Sequence, residues 1–179
     1  CIDYGRACMD EGATGVFYGL GSGGNIWSRM NRNQLEEYGL YFDNKVLAAL
    51  KDAPIRLLHV CCRKDQEDPQ TNGGLMESGW FRQYGVNAIN WWDARFTSLL
   101  VAKKIYGDKF CVVGGIDQEG AMRTGTPERV EDQVKAAIES AGEGGALVIG
   151  PGCTVFQDTP IENFNAVGRT VEKYGRYRY

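Results

Sequence analysis

Ile55-Arg-Leu-Leu-His59-Val-Cys61-Cys62 is an apolar run that ends on one imidazole and two thiols, and Pro54 in front of it stops the preceding helix. A short run of Ile, Leu and Val bounded by such a breaker reads as a buried strand over Ile55 to Val60. His59 and Cys61 are two apart on it, so their side chains share a face, while Cys62 points the other way.

The same signature recurs along the chain. Upstream, a helix from Ile2 to Glu11 leads into the short β-type run Val16-Phe-Tyr, which closes on the glycine-rich loop Gly19 to Gly24. Asn33 with Glu36 is expected to form a capping box for a helix over Gln34 to Tyr38, and Asp43 to cap Lys45 to Lys51. Downstream, Val86 to Trp91, Phe110 to Ile116 and Ala146 to Ile149 read as strands. The helices after them run over Thr97 to Tyr106, from a Thr126 cap with Pro127 at the first position, and from Thr159-Pro-Ile-Glu162, where Phe164, Val167 and Val171 supply the apolar stripe.

Alternation at intervals of about 25 to 35 residues fits βα units rather than hairpins. Val- and Ile-rich strands, each followed by a helix, mean a parallel sheet covered by helices. Five such units fit an open doubly wound sheet or the second half of a (β/α)8 barrel of about 250 residues or more. A third soft donor, Cys153 in Val148-Ile-Gly-Pro-Gly-Cys, separates the two, because its strand lies three positions from that of His59 and Cys61. Zinc would need these donors within roughly 4 Å of one another. Side chains at the mouth of a barrel converge, whereas an open sheet holds them apart across three spacings of about 4.8 Å. The expectation is therefore α/β, a parallel (β/α)8 TIM-type barrel, here its C-terminal half, with residues 1–179 as a single domain. The start at Cys1, inside a helix, reads as a piece of something longer.

Of the 179 residues, 43% are hydrophobic and 24% charged, an ordinary globular composition that excludes disorder. Twenty Lys and Arg against 23 Asp and Glu leave a net charge of −3 and no basic tract, so nucleic acid is excluded as a partner. No apolar stretch approaches the roughly 20 residues of a membrane span and no signal peptide is recognisable, which gives a cytoplasmic reading with the six cysteines as reduced thiols.

Three donors of the type Zn²⁺ prefers, each at a strand end, point to a catalytic metal site with an open fourth position: His59, Cys61 and Cys153. The plainer alternative makes His59 a satisfied core histidine and the cysteines small buried hydrophobes, as Cys62 and Cys111 are read here. Asp93 in Asn90-Trp-Trp-Asp and Asp117 in Val112-Val-Gly-Gly-Ile-Asp also close strands, where barrel active sites are built, and are the catalytic candidates. Each is expected to supply a weak fourth ligand, to orient His59, or simply to cap the next helix. Gly19 to Gly24 matches G-x-G-x-x-G formally, but the polar segment Asn25 to Arg32 intervenes before the helix, so a loop covering the mouth is the better reading. Trp91 and Trp92, with Trp27, are candidates to line a flat pocket for a tetrapyrrole, against the alternative of core packing.

Asp43-Asn-Lys-Val-Leu-Ala-Ala-Leu-Lys-Asp, Leu58-His-Val-Cys, Tyr106-Gly-Asp-Lys-Phe, Gly114-Gly-Ile-Asp, Gly125-Thr-Pro-Glu-Arg-Val and Gly150-Pro-Gly-Cys-Thr through Asp158-Thr-Pro-Ile-Glu-Asn together resemble the uroporphyrinogen decarboxylase family. That family includes zinc-dependent corrinoid methyltransferases, and the resemblance covers nearly the whole chain as the C-terminal half of the family's barrel. It implies that decarboxylation, which uses no metal and relies on an aspartate and arginines of the N-terminal half, has no counterpart among these residues. H-x-C with a distant Cys in G-P-G-C is similar to the methyltransferases' zinc motif, at His59, Cys61 and Cys153. The implied activity moves a methyl group between a corrinoid protein and a zinc-activated thiol or related acceptor. Its cofactors are Zn²⁺ and a corrinoid on a partner protein, and its small-molecule substrate a thiol or a methylated compound. Two alternatives stand beside it: a metal-free, decarboxylase-like lyase binding a tetrapyrrole, and a non-catalytic half-barrel whose open strand edges favour a homodimer or pairing with the N-terminal half.

Overall fold

In the computed structural model, which describes residues 1–20, 30–61 and 72–175, strands and helices alternate along the chain. Helix α1 (Ile2–Asp10) leads to β1 (Gly15–Leu20), and a continuous helical run follows as α2 (Arg32–Gln34), a π-helical stretch (Leu35–Leu40) and α3 (Tyr41–Ala49). Strand β2 (Ile55–Val60) is followed by α4 (Asn72–Glu77) and a 3-10 turn (Trp80–Gln83), and β3 (Ala88–Trp91) by α5 (Leu99–Tyr106). Then come β4 (Cys111–Ile116), α6 (Ala121–Thr124), α7 (Pro127–Ala141), β5 (Leu147–Pro151) and α8 (Ile161–Tyr174).

The strands hydrogen-bond in the order β1-β2-β3-β4-β5. Strand β1 runs parallel to β2 with Gly19 opposite His59, and β4 parallel to β5 with Gly115 opposite Gly150. A parallel neighbour needs a crossover of about a dozen residues or more, which the intervening helices supply. This is the parallel α/β class expected from the alternation. Among the described residues no helix is long and apolar enough to cross a membrane.

The chain divides into two compact units, Cys1–Ile89 and Asn90–Tyr179. In the first, one carboxylate fastens α3 to its surroundings: Asp43 accepts the Tyr18 hydroxyl of β1 at 2.6 Å and the Tyr84 hydroxyl at 3.2 Å. Burial raises the Asp43 pKa, and the two hydroxyls pull it back down. Next to it, Asn44 donates to the Gln83 carbonyl and accepts the Gly85 N–H. Asp43 is thus not the expected cap but a first-turn residue whose oxygens go to two tyrosines. The capping box also lies two residues earlier than Asn33 and Glu36. Asn31 Oδ1 accepts the Gln34 N–H at 3.0 Å, and Gln34 Oε1 accepts the Asn31 N–H at 2.9 Å. Asn31 is the residue with extended backbone, which the geometry of a cap requires.

In the second unit, Ile116 of β4 packs with Met122 of α6, Val130 and Val134 of α7 and Ala166 of α8. Thr126 caps α7 with Pro127 at its first position, as expected. Helix α8 departs from expectation. It buries Asn163, Ala166 and Thr170, while Phe164 and Val171 are 42% and 36% exposed and Val167 is half-buried. The reason is polar: Asn163 Nδ2 donates to the carbonyls of Met122 at 2.8 Å and Gly125 at 3.1 Å, and the Thr170 hydroxyl is satisfied within the helix on Ala166. Thr159, expected as the cap, is buried with its hydroxyl unbonded among the described residues, and Pro160 takes the capping position without a side-chain bond.

Candidate metal centre

Alternation along β1 decides which way the His59 imidazole faces. Tyr18 turns toward α3, as its bond to Asp43 shows, so Phe17 and Gly19 lie on the opposite face. Gly19 stands opposite His59 in the register, and the Phe17 ring stacks on the imidazole with centroids 5.3 Å apart and planes 29° apart. His59 is buried and Cys61, two residues on, is half-buried on the same face. Among the described residues a Cβ added at Gly19 would meet nothing within 4 Å.

Cys153 follows a turn that β5 cannot avoid. Pro151 has no N–H, which ends the strand's ladder. Gly152 then comes so close to the end of β3 that a Cβ there would sit 2.7 Å from Trp92 Cα. The Gly152 N–H is shared between the Ile116 carbonyl at 3.3 Å and Gln118 Oε1 at 3.1 Å. One residue earlier, the Pro151 carbonyl accepts Asn90 Nδ2 at 3.0 Å, and the same amide donates to Val113 at 2.9 Å. Cys153 emerges from this turn half-buried. Cys1, Cys8, Cys61, Cys111 and Cys153 are all thiols rather than disulfides, and burial raises the pKa of Cys111 against the pull of Lys103. Cys62, Trp27 and residues 21–24 of the glycine-rich loop lie outside the described residues.

The two candidate carboxylates are engaged with the chain around them. Asp93 lays its carboxyl on β4: Oδ2 accepts the Gly115 N–H at 3.1 Å, and a Cβ at Gly114 would come within 2.9 Å of Oδ1 and 3.2 Å of Leu99. Burial is the main cause that pushes its pKa up to about 6, with the neighbouring Asp117 adding to it. Asp117 makes the turn into α6, Oδ1 accepting the Glu119 N–H at 3.2 Å, and a Cβ at Gly120 would lie 2.4 Å from Oδ2. It does not cap α6, whose N-cap is Gly120 without a side-chain bond. Trp91 and Trp92 are 0% and 3% exposed and built into the core, with Trp91 Nε1 donating to the Thr97 carbonyl at 2.7 Å and the Arg95 guanidinium lying 4.6 Å over the Trp92 ring.

The sequence reading missed Asn90, Gln118 and Asn163, all buried amides that bind backbone groups: Asn90 the carbonyls of Val113 in β4 and Pro151 in β5, Gln118 the Gly152 N–H, and Asn163 the carbonyls of α6 and its exit. A polar residue inside the apolar run Ala88-Ile-Asn-Trp was the available signal for Asn90. Arg123 of α6 also went unremarked. It clasps Asp158 with two parallel bonds of 2.9 and 2.7 Å and lies 4.1 Å over the Phe156 ring, tying the segment after β5 to α6.

Residues 1–174 match the family model described as uroporphyrinogen decarboxylase (URO-D). The chain belongs to this family. Among curated relatives within reach of this URO-D chain are two methylcobamide:CoM methyltransferases. MtaA of Methanosarcina barkeri is 32% identical over 72 residues, 40% of this chain and 20% of its own length. MtbA of Methanosarcina mazei is 29% identical over 146 residues, 80% of this chain and 37% of its own length. A solved methyltransferase from Methanosarcina mazei superposes with a TM-score of 0.75 at 17% identity, covering 98% of this chain and 46% of that one. That likeness concerns the fold, five βα units of the parallel barrel class. The chain spans less than half the length of the relatives it matches.

Proposed function

We propose that this URO-D family chain carries the zinc site of a methyltransferase that moves a methyl group between a methylated corrinoid, presented by a partner protein, and a thiol. What supports this reading is the pair His59 on β2 and Cys61 just after its end, two residues on, with Cys153 supplying a third soft donor in the turn after β5. One imidazole and two thiols are a donor set that fits Zn²⁺, and three protein ligands leave a position for substrate. Bound there by two thiolates and a neutral imidazole, zinc supplies the Lewis acidity under which an entering thiol ionises at neutral pH. Phe17, stacked on His59, holds the plane of the imidazole. The relatives named as methylcobamide:CoM methyltransferases support both the donor and the reaction type.

Metal analysis together with a transfer assay from methylcobalamin to a thiol tests this on the intact protein. About one zinc per chain is expected, lost with activity in Cys153→Ser. Undiminished zinc in that variant, or transfer by the metal-free protein, would overturn the assignment.

A further inference from the structure

We propose that Gln118 is a positioning residue for Cys153, holding the turn that carries this thiol in the geometry a metal requires. The inference rests on the reading of Cys153 as a ligand. Gln118 is 2% exposed, an amide taken out of water just past the C-terminal end of β4. A buried amide of this kind must be repaid by a hydrogen bond, and its Oε1 accepts the N–H of Gly152, the residue before Cys153.

Two acceptors meet the Gly152 N–H among the described residues. Pro151 brings no N–H to the ladder, and the other acceptor for Gly152, the Ile116 carbonyl, is longer at 3.3 Å. The steric wall at Trp92, which admits no Cβ at residue 152, sets how close the backbone comes but not its rotation. Direction comes from the two amides: Asn90 donates to the Pro151 carbonyl at 3.0 Å and Gln118 accepts the Gly152 N–H at 3.1 Å, so the two opposite edges of the single Pro151–Gly152 peptide plane are both held. The peptide plane from which the chain turns to Cys153 is thereby held at both of its edges. A first ligand anchored by outer hydrogen bonds typically loses about 10- to 100-fold in metal affinity when they are removed.

The test is titration of the metal-free, intact protein with Co²⁺ in competition with a chelator. Absorption of the sulfur-to-cobalt charge-transfer band and melting of the metal-free form are read alongside. Gln118→Met keeps the volume and removes the acceptor; Gln118→Asn keeps the amide but withdraws its oxygen by one methylene. Both are expected to bind Co²⁺ about 10- to 100-fold more weakly, with less thiolate charge-transfer intensity per bound cobalt. A role confined to stability would lower the melting temperature and leave that intensity unchanged. Should Gln118→Met fail to fold, Gln118→Asn decides. Unaltered affinity and full intensity in a folded Gln118 variant, while Cys153→Ser has lost binding, overturn the positioning role and leave the zinc reading standing. Unaltered Co²⁺ binding in Cys153→Ser overturns the zinc reading itself, and the positioning role with it.

Discussion

Asp93 holds one carboxyl oxygen against the Gly115 N–H and buries the other without a hydrogen-bond partner among the described residues. Burial pushes its pKa up to about 6, against 3.8 for a free side chain. The sign follows: between those values the folded chain keeps a proton that the unfolded chain releases, so stability present below about pH 4 is lost as the pH rises through 6. A difference of that size is worth at most about 3 kcal/mol. Asp93→Asn, which cannot ionise, is expected to flatten this dependence, measured as the urea midpoint at several pH values from 4 to 8. Equal slopes for the two proteins would show that the carboxyl is not held this way. None of this was legible in Asn-Trp-Trp-Asp, because the carboxyl is laid against the glycines of β4, more than twenty positions downstream. By contrast, the shared face of His59 and Cys61 needed only their two-residue spacing and the strand pattern around them.

Helix α8 shows where periodicity misleads. Phe164, Val167 and Val171 make a convincing apolar stripe, yet the buried face is turned by about one residue so that Asn163 can reach three carbonyls of α6 and its exit: Met122, Gly125 and, at 3.5 Å, Ala121. A hydropathy pattern counts carbon and cannot register that an amide serves a neighbouring loop. The ranking of substitutions therefore inverts the one read from the stripe. Asn163→Ala is expected to cost about 2 to 4 kcal/mol, since it strands buried carbonyls. Phe164→Ala, at a position 42% exposed, should cost no more than about 1 kcal/mol. Chemical denaturation of both variants checks the order, and a Phe164 variant weaker than the Asn163 variant would restore the stripe as the packing face. The start of α7 was readable because Thr126-Pro127 is a local signal, whereas the cap of α2 slipped by two residues among several Asn, Gln and Glu of equal promise.

For the whole chain, the alternation of apolar runs with capped helices was sufficient for the parallel α/β class, since spacing alone rules out hairpins. The proposed zinc site offers a test at this scale, because its donors at positions 59, 61 and 153 are far apart in the sequence and an unfolded chain does not offer them as one set. A metal that binds the folded state and not the unfolded one stabilises it by mass action, by about 2.7 kcal/mol at a free concentration a hundredfold above its dissociation constant. For a chain of this size that corresponds to a rise of about 5 to 10 °C in melting temperature. The intact protein stripped of metal is expected to melt higher as zinc is added back, in proportion to the logarithm of its concentration. Cys153→Ser should melt close to the metal-free parent and show no such rise. Stabilisation by zinc that survives both Cys153→Ser and His59→Ala would place the metal elsewhere, since a site that loses an imidazole and a thiolate retains too few donors to hold zinc at the same concentration.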